Sequence, residues 1–177
     1  MKRWDRIAWI TSAFASPVIL AQTPGVSSPS TAGRGAAFVQ QALQEQLAEI
    51  ELSKIAQNNS TNPVVINFAK ATVRDETQAN SVLRELAAKK DIPVSPAPDA
   101  ENAAMAKILG CKTGTQLDAY YAQDIARIDD RVIQLYRSES TGDDRDVAFY
   151  AQTALPREEQ HEKLAQSLTN STARRTT

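Results

Sequence analysis

Cysteine, histidine and tryptophan are scarce in this sequence of 177 residues. Cys111 is the single cysteine, His161 is the single histidine, and the two tryptophans are Trp4 and Trp9. One cysteine excludes a disulfide within the chain and leaves a free thiol or a bridge to another chain. We expect Cys111 to be buried as a small apolar side chain. With one histidine, any metal site must take most of its ligands from oxygen.

The sequence also lacks the motifs of nucleotide binding and acyl transfer. It contains no glycine-rich phosphate loop, no nucleophile elbow and no serine-histidine-aspartate order. No segment of useful length has the two-residue period of a β-strand. The formal net charge is −1, and removal of residues 1–21 leaves 17 basic and 20 acidic residues, a charge of −3. This balance, without a concentrated basic face, argues against a nucleic-acid partner.

Residues 1–21 have the pattern of a secretory signal peptide. Basic residues precede an apolar segment, residues 7–20, and Ala21 completes the small-residue pattern that signal peptidase recognises. The alternative is an uncleaved membrane anchor, but the segment is shorter than the roughly 20 residues that a spanning helix needs, and Pro17 interrupts it. No later apolar segment is long enough to span a bilayer. We therefore predict export to the periplasm or to the periphery of the outer membrane, with a mature chain that begins near Gln22.

The mature chain divides into a linker, a helical domain over residues 36–168 and a tail. Residues 22–35 are rich in serine, proline, threonine and glycine and are predicted to be a disordered linker. Apolar residues then recur at three- and four-residue steps along four long segments, about residues 36–57, 62–90, 115–138 and 144–168. A proline-rich crossover and a short helix, residues 99–109, join the second long segment to the third. Residues 169–177 are predicted to be a flexible tail.

This organisation predicts an all-α fold, an antiparallel four-helix bundle with a short extra helix in the crossover. Asn62 and Asp99 are expected to cap the helices that follow them. Thr115 and Asp118 have the spacing of a capping box at the start of the third long helix. Pro156 is expected to kink the last helix.

Each long helix carries one ionisable residue within its apolar face. These residues are Glu49, Glu76, Asp129 and His161, in chain order. His161 precedes Leu164 by three positions, and both are expected to point inward. If the four polar residues lie at one level, three carboxylates and an imidazole meet inside the bundle and must be protonated, hydrogen-bonded or matched by a cation. We expect the carboxylates to raise the pKa of His161.

Two interpretations of these four residues remain open. The first is a buried hydrogen-bond and ion-pair network that fixes helix register without a cofactor. The second is a divalent metal site, in which oxygen ligands favour manganese, calcium or iron over copper or zinc. Di-metal carboxylate bundles use two Glu-x-x-His pairs, whereas this chain has one, Glu158 with His161. The acidic pair Glu158-Glu159 is itself typical of a solvated surface.

The sequence resembles a known family, the exported bacterial proteins grouped as domain of unknown function 4142 and often labelled outer-membrane proteins. The resemblance covers about residues 36–168 and rests on short segments in a characteristic order. These segments are Ala48–Ala56, Phe68-Ala69, Asp75–Asn80, Pro98–Glu101, Leu117-Asp118 with Tyr121, and Leu155-Pro156 with His161. The resemblance implies a ferritin-like four-helix bundle in which the four inward polar residues form one internal cluster.

At two of the four cluster positions this chain differs from the usual pattern of that family. The family usually has histidine where this chain has Glu76 and Asp129, whereas Glu49 and His161 match. The family has no established reaction, so two classes of function remain. The first, which we expect, is a structural, stress-related or interaction protein of the envelope that binds a protein partner, needs no cofactor and has no catalytic activity. The second is a ferritin-like protein that stores or uses a divalent metal ion.

Overall fold

All regular elements of the described chain are α-helices. The computed structural model describes residues 31–176, and five helices follow one another there: α1 (Thr31–Asn59), α2 (Pro63–Lys89), α3 (Ala100–Gly110), α4 (Gly114–Glu139) and α5 (Arg145–Thr176). The predicted all-α class is therefore confirmed. The predicted signal peptide and linker residues 22–30 lie outside the described residues. Residues 31–35, which were predicted to belong to the disordered linker, lie in α1 instead.

Capping side chains set the starts of α2 and α3 as predicted. The side chain of Asn62 accepts a hydrogen bond from the backbone N–H of Val64 (3.1 Å). Pro63, which has no N–H to leave unpaired, takes the first helical position. The side chain of Asp99 accepts a hydrogen bond from the backbone N–H of Asn102 (2.9 Å). These bonds satisfy backbone donors that the helix itself leaves without a partner.

The predicted capping box of Thr115 and Asp118 is wrong. α4 begins at Gly114, and the side chain of the preceding residue, Thr113, makes no capping hydrogen bond. The carboxylate of Asp118 instead accepts a hydrogen bond from Oγ of Ser60, at 2.6 Å. Both residues are buried. The first turn of α4 is thus tied to the short connection between α1 and α2, a long-range contact that sequence spacing does not show.

The last helix is longer than the sequence predicts. Its apolar pattern ends near Leu168, but α5 continues to Thr176. The hydroxyl of Thr169 donates to the carbonyl of Ala122 in α4 (3.1 Å). The hydroxyl of Thr172, which is buried, donates to the carbonyl of Leu168 (3.1 Å). Because these hydroxyls bond to backbone carbonyls, threonines extend the packed face where apolar residues end.

Two side chains that were expected to be buried lie on the surface. Leu164 is 52% exposed, because the buried positions of α5 continue through Ala165 and Leu168. Cys111 is exposed just after α3, where its backbone N–H donates to the carbonyl of Ile108. The thiol is therefore accessible in the folded chain.

Neighbouring long helices run in opposite directions. The contacts that show this are Gln46–Tyr136 and Ser53–Tyr121 between α1 and α4, Asp129–His161 and Ala122–Thr169 between α4 and α5, and Thr72–His161 and Lys90–Asp144 between α2 and α5. Since α2 and α4 are both antiparallel to α5, they run in the same direction. The connection through residues 90–113 and α3 carries the chain back to the end from which α4 starts.

The apolar core lies between the long helices, and α3 covers one side of it against α1 and α4. The largest fully buried apolar side chains include Leu43, Leu52, Leu83, Leu117, Tyr121, Ile125, Ile128 and Tyr136. Phe38 packs edge-on against Tyr136, with ring centroids 5.1 Å apart. No helix in residues 31–176 has the length and apolar character required to span a membrane.

Candidate metal centre

The four long helices bring the predicted polar residues into one buried region. Glu49 of α1, Glu76 of α2 and Asp129 of α4 are 1%, 2% and 2% exposed, and the side chain of His161 in α5 is 13% exposed. Ligand atoms of Glu49, Asp129 and His161 all lie within 4.8 Å of one another. We call these three residues the Glu49–Asp129–His161 triad. Glu76 lies outside it. Three of the four predicted residues thus form a group close enough to share one ion.

Hydrogen bonds fix the orientation of the His161 ring. Its Nδ1 lies 2.9 Å from Oδ1 of Asp129, and its Nε2 lies 3.0 Å from the hydroxyl of Thr72. The Thr72 hydroxyl also lies 3.1 Å from the carbonyl of Phe68, to which it can donate. A hydroxyl has one proton, so Nε2 donates to Thr72 when that proton points to Phe68, and accepts when it points to Nε2. Nδ1 therefore faces the two carboxylates, either protonated or with a free lone pair.

Two buried carboxylate oxygens in the triad lack a hydrogen bond. Oε2 of Glu49 and Oδ2 of Asp129 have no hydrogen-bond partner among the described residues. Nδ1 of His161 lies 3.6 Å from Glu49 Oε2, which exceeds hydrogen-bond distance. A buried acceptor without a partner costs about 1–3 kcal/mol, and more when it is charged. The triad is thus not a self-sufficient polar network.

The buried side chain of Gln46, which lies in the same core, has a hydrogen-bond partner for each of its polar atoms. Oε1 of Gln46 accepts a hydrogen bond from Asn80 (3.3 Å). Nε2 of Gln46 lies 3.3 Å from the hydroxyl of Tyr136 and 3.4 Å from that of Tyr150. Every polar atom of the Gln46 side chain therefore has a partner. This core satisfies a buried amide fully, yet it leaves two carboxylate oxygens of the triad unpaired.

Arg157 neutralises the acids that lie beside the triad. Its guanidinium Nη1 lies 3.3 Å from Oε1 of Glu76, and its Nη2 lies 2.5 Å from Oε1 of Glu158. Nη1 also donates to the backbone carbonyl of Asp75 (3.1 Å). Glu158 is 3% exposed, so the expectation that it lies on a solvated surface is wrong. The polar region therefore contains four buried carboxylates and two basic side chains.

The buried acids resist ionisation. Burial raises the pKa of Glu49 well above its usual range, and the negative charges of Glu76 and Asp129 raise it further. Burial and the charge of Glu158 raise the pKa of Glu76 to about 7, although Arg157 and His161 oppose this rise. Burial also raises the pKa of Asp129 against the opposing hydrogen bond from His161. The acids are thus held in a region where ionisation requires a compensating cation.

The carboxylates around His161 favour its protonated form. Burial lowers the pKa of His161, but the hydrogen bond and charge of Asp129, with the charges of Glu76 and Glu158, outweigh burial and raise this pKa overall. The predicted direction is confirmed. A proton or another cation at Nδ1 is therefore favoured by the acids around it.

Three residues of this region were not predicted as part of the site. Neither Thr72 nor Arg157 was singled out in the sequence. Glu158 lies seven positions after the buried Ala151 and three before His161, which places it on the inward face of α5. The sequence showed this spacing as the Glu-x-x-His pair, but the adjacent acids Glu158-Glu159 were assigned to a solvated surface. No comparable signal exists for Arg157, because a long side chain can reach inward from the edge of a helix face.

Comparison with known proteins identifies a family. No curated protein and no solved structure matches this chain. The family model described as a domain of unknown function, DUF4142, matches residues 20–168. This match covers most of the chain and includes all four predicted cluster residues. The protein therefore belongs to the DUF4142 family.

Proposed function

We propose that this protein binds one divalent metal ion at the Glu49–Asp129–His161 triad. The observation that carries the proposal is the pair of buried, unpaired carboxylate oxygens, Glu49 Oε2 and Asp129 Oδ2. The alternative, a metal-free network that fixes helix register, predicts instead that each buried acceptor has a donor, as the side-chain oxygen of Gln46 has. A cation shared by the triad would supply the missing partner for both oxygens.

The ligands favour a metal ion that accepts both oxygen and imidazole. Two carboxylates and one imidazole suit Mn²⁺ or Fe²⁺, whereas soft ligands for Cu⁺ and the all-oxygen shell typical of Ca²⁺ are not provided by this triad. Ligand atoms bound about 2.0–2.2 Å from one ion lie at most about 4.4 Å apart. The triad atoms lie within 4.8 Å of one another, so small side-chain movements are sufficient.

The hydrogen bonds of His161 fit this role. A metal ion would be bound by the lone pair of Nδ1, while Nε2 donates to Thr72. Thr72 in turn donates to the carbonyl of Phe68, so the required tautomer is held by an oriented chain of hydrogen bonds. The ring also stacks on Phe68, with centroids 5.1 Å apart. The imidazole is thus oriented before any ion binds.

The test is titration of metal-free protein with Mn²⁺, measured by calorimetry and by the electron paramagnetic resonance signal of free Mn²⁺. Glu49→Gln and Asp129→Asn are expected to weaken binding at least about tenfold, because each removes a charged ligand. Glu51→Gln is the matched control, since this acid lies on the same helix as Glu49 but is exposed. The control is expected to bind one Mn²⁺ with unchanged affinity. Absence of binding by the folded wild-type protein, or equal loss in the control and the triad variants, would contradict the proposal.

We further propose that the four long helices form a ferritin-like bundle. Antiparallel neighbours joined by one long crossover support this arrangement, because ferritin-like bundles use a single crossover of this kind. An experimental structure in which the long helices do not surround one common core would contradict it.

Export to the envelope is the location that we propose. The basic and apolar pattern of residues 1–21 supports it. Because Trp4 and Trp9 precede the expected cleavage point, the exported protein should contain no tryptophan. Intact-mass measurement of protein recovered from the periplasm tests this, and a mass that includes residues 1–21 would contradict it.

A further inference from the structure

The two acids nearest the triad already hold a cation that belongs to the chain. Glu76 and Glu158 come from different helices, and the guanidinium of Arg157 bonds to both of them. Both carboxylates are buried, whereas the Arg157 side chain is 38% exposed. The guanidinium therefore lies at the boundary between the buried acids and solvent.

The solvent side of this boundary is a cleft between α2 and α5. The cleft has a volume of about 340 Å³, and Asp75, Ala79, Tyr150 and Arg157 are among the residues that line it. The bond from Arg157 to the carbonyl of Asp75 anchors the guanidinium to the α2 side of the cleft. Arg157 thus separates this cleft from the carboxylates of Glu76 and Glu158.

These two acids belong electrostatically to the same region as the triad. The charges of Glu76 and Glu158 both act on Glu49, whose Oε2 has no hydrogen-bond partner. Four ionised carboxylates and one guanidinium carry a formal charge of −3 when His161 is neutral. Binding of one divalent ion leaves a formal charge of −1 on the cluster. A second would give an excess positive charge and would have to compete with Arg157 for its ligands.

We propose that Arg157 occupies a second cation position, formed by Glu76 and Glu158, and thereby limits the cluster to one metal ion. This inference rests on the metal site proposed above. Without the guanidinium, four carboxylates would carry −4 and would balance two divalent ions.

The experiment compares the Mn²⁺ stoichiometry of the wild-type protein and Arg157→Gln, with excess Mg²⁺ to suppress weak surface binding. Wild type is expected to bind one Mn²⁺ and Arg157→Gln two, with spin coupling between the two ions visible in the resonance spectrum. Arg157→Lys retains a cation and is expected to bind one. Arg74→Gln is the matched control, because Arg74 also pairs with an acid of α2 but is exposed, and it should bind one.

The outcomes separate this inference from the metal proposal. If the wild type binds one ion and folded Arg157→Gln also binds one, the second position is refuted and the triad site remains. If neither binds an ion, the triad site itself is refuted. If metal-free Arg157→Gln lacks the helical circular dichroism signal of the wild type, the spectrum is measured again after addition of Mn²⁺. Recovery of the signal with two bound ions supports the inference, and failure to recover contradicts it.

Discussion

The titration of Glu76 should make the metal-free protein less stable as the pH rises. Burial and the charge of Glu158 raise its pKa from 4.5 to about 7. The folded state therefore binds more protons than the unfolded state in this range, and the free energy of unfolding falls as the pH increases. The stabilisation is complete below about pH 4.5 and is lost as the pH passes about 7. At about 1.4 kcal/mol per pKa unit, the loss from Glu76 is roughly 3 kcal/mol.

Glu76→Gln removes this titration while its amide oxygen can still accept from Arg157. We expect the variant to gain roughly 3 kcal/mol relative to wild type between pH 4.5 and pH 8. With an m-value of about 2 kcal/mol/M, the difference is about 1.5 M in the urea midpoint. Unfolding is followed by circular dichroism in EDTA at several pH values. Glu85→Gln, an exposed acid on the same helix, is the control. A Glu76→Gln variant with the wild-type pH dependence would refute the reasoning.

Thr72→Val should weaken Mn²⁺ binding by about 10–100-fold in calorimetry, because His161 loses the acceptor that fixes its tautomer; unchanged affinity would contradict this. Ser60→Ala should lower the free energy of unfolding by about 1–3 kcal/mol, because Asp118 keeps its burial and loses a donor, whereas Thr61→Ala, an exposed neighbour, should change it little. Cys111 should react with a thiol reagent in the folded chain as fast as in urea, since it is exposed; slow reaction relieved by urea would show that it is buried.

The sequence contained enough information to predict the helices and the inward acids. Helical periodicity depends on local spacing, so the all-α class and the inward positions of Glu49, Glu76 and Asp129 follow from it. Asn62 and Asp99 act on backbone groups within three residues, which makes their caps predictable. These are properties of one helix at a time.

The errors concern contacts between helices. Asp118 could bond within its own first turn or to Ser60, and only the packing of the α1–α2 connection against α4 decides for Ser60. Arg157 could point to solvent, and the nearby acid from α2 draws it inward. Leu164 shows the same limitation. It was expected to be buried, but the next residue of α5, Ala165, takes the buried position and Leu164 is exposed. Sequence spacing does not encode which neighbouring helix faces a given residue.

The charge balance of the cluster links these features to the choice of metal. The cluster holds four buried carboxylates but a single imidazole, that of His161. Arg157 pairs with two of the carboxylates, those of Glu76 and Glu158. The other two, those of Glu49 and Asp129, each have one oxygen without a hydrogen bond. A divalent ion at the triad would offset their charge, and its ligands would be richer in oxygen than those of a histidine-rich site. This ligand set should therefore shift metal preference toward Mn²⁺ and Fe²⁺ and away from Zn²⁺ and Cu²⁺, relative to a histidine-rich site.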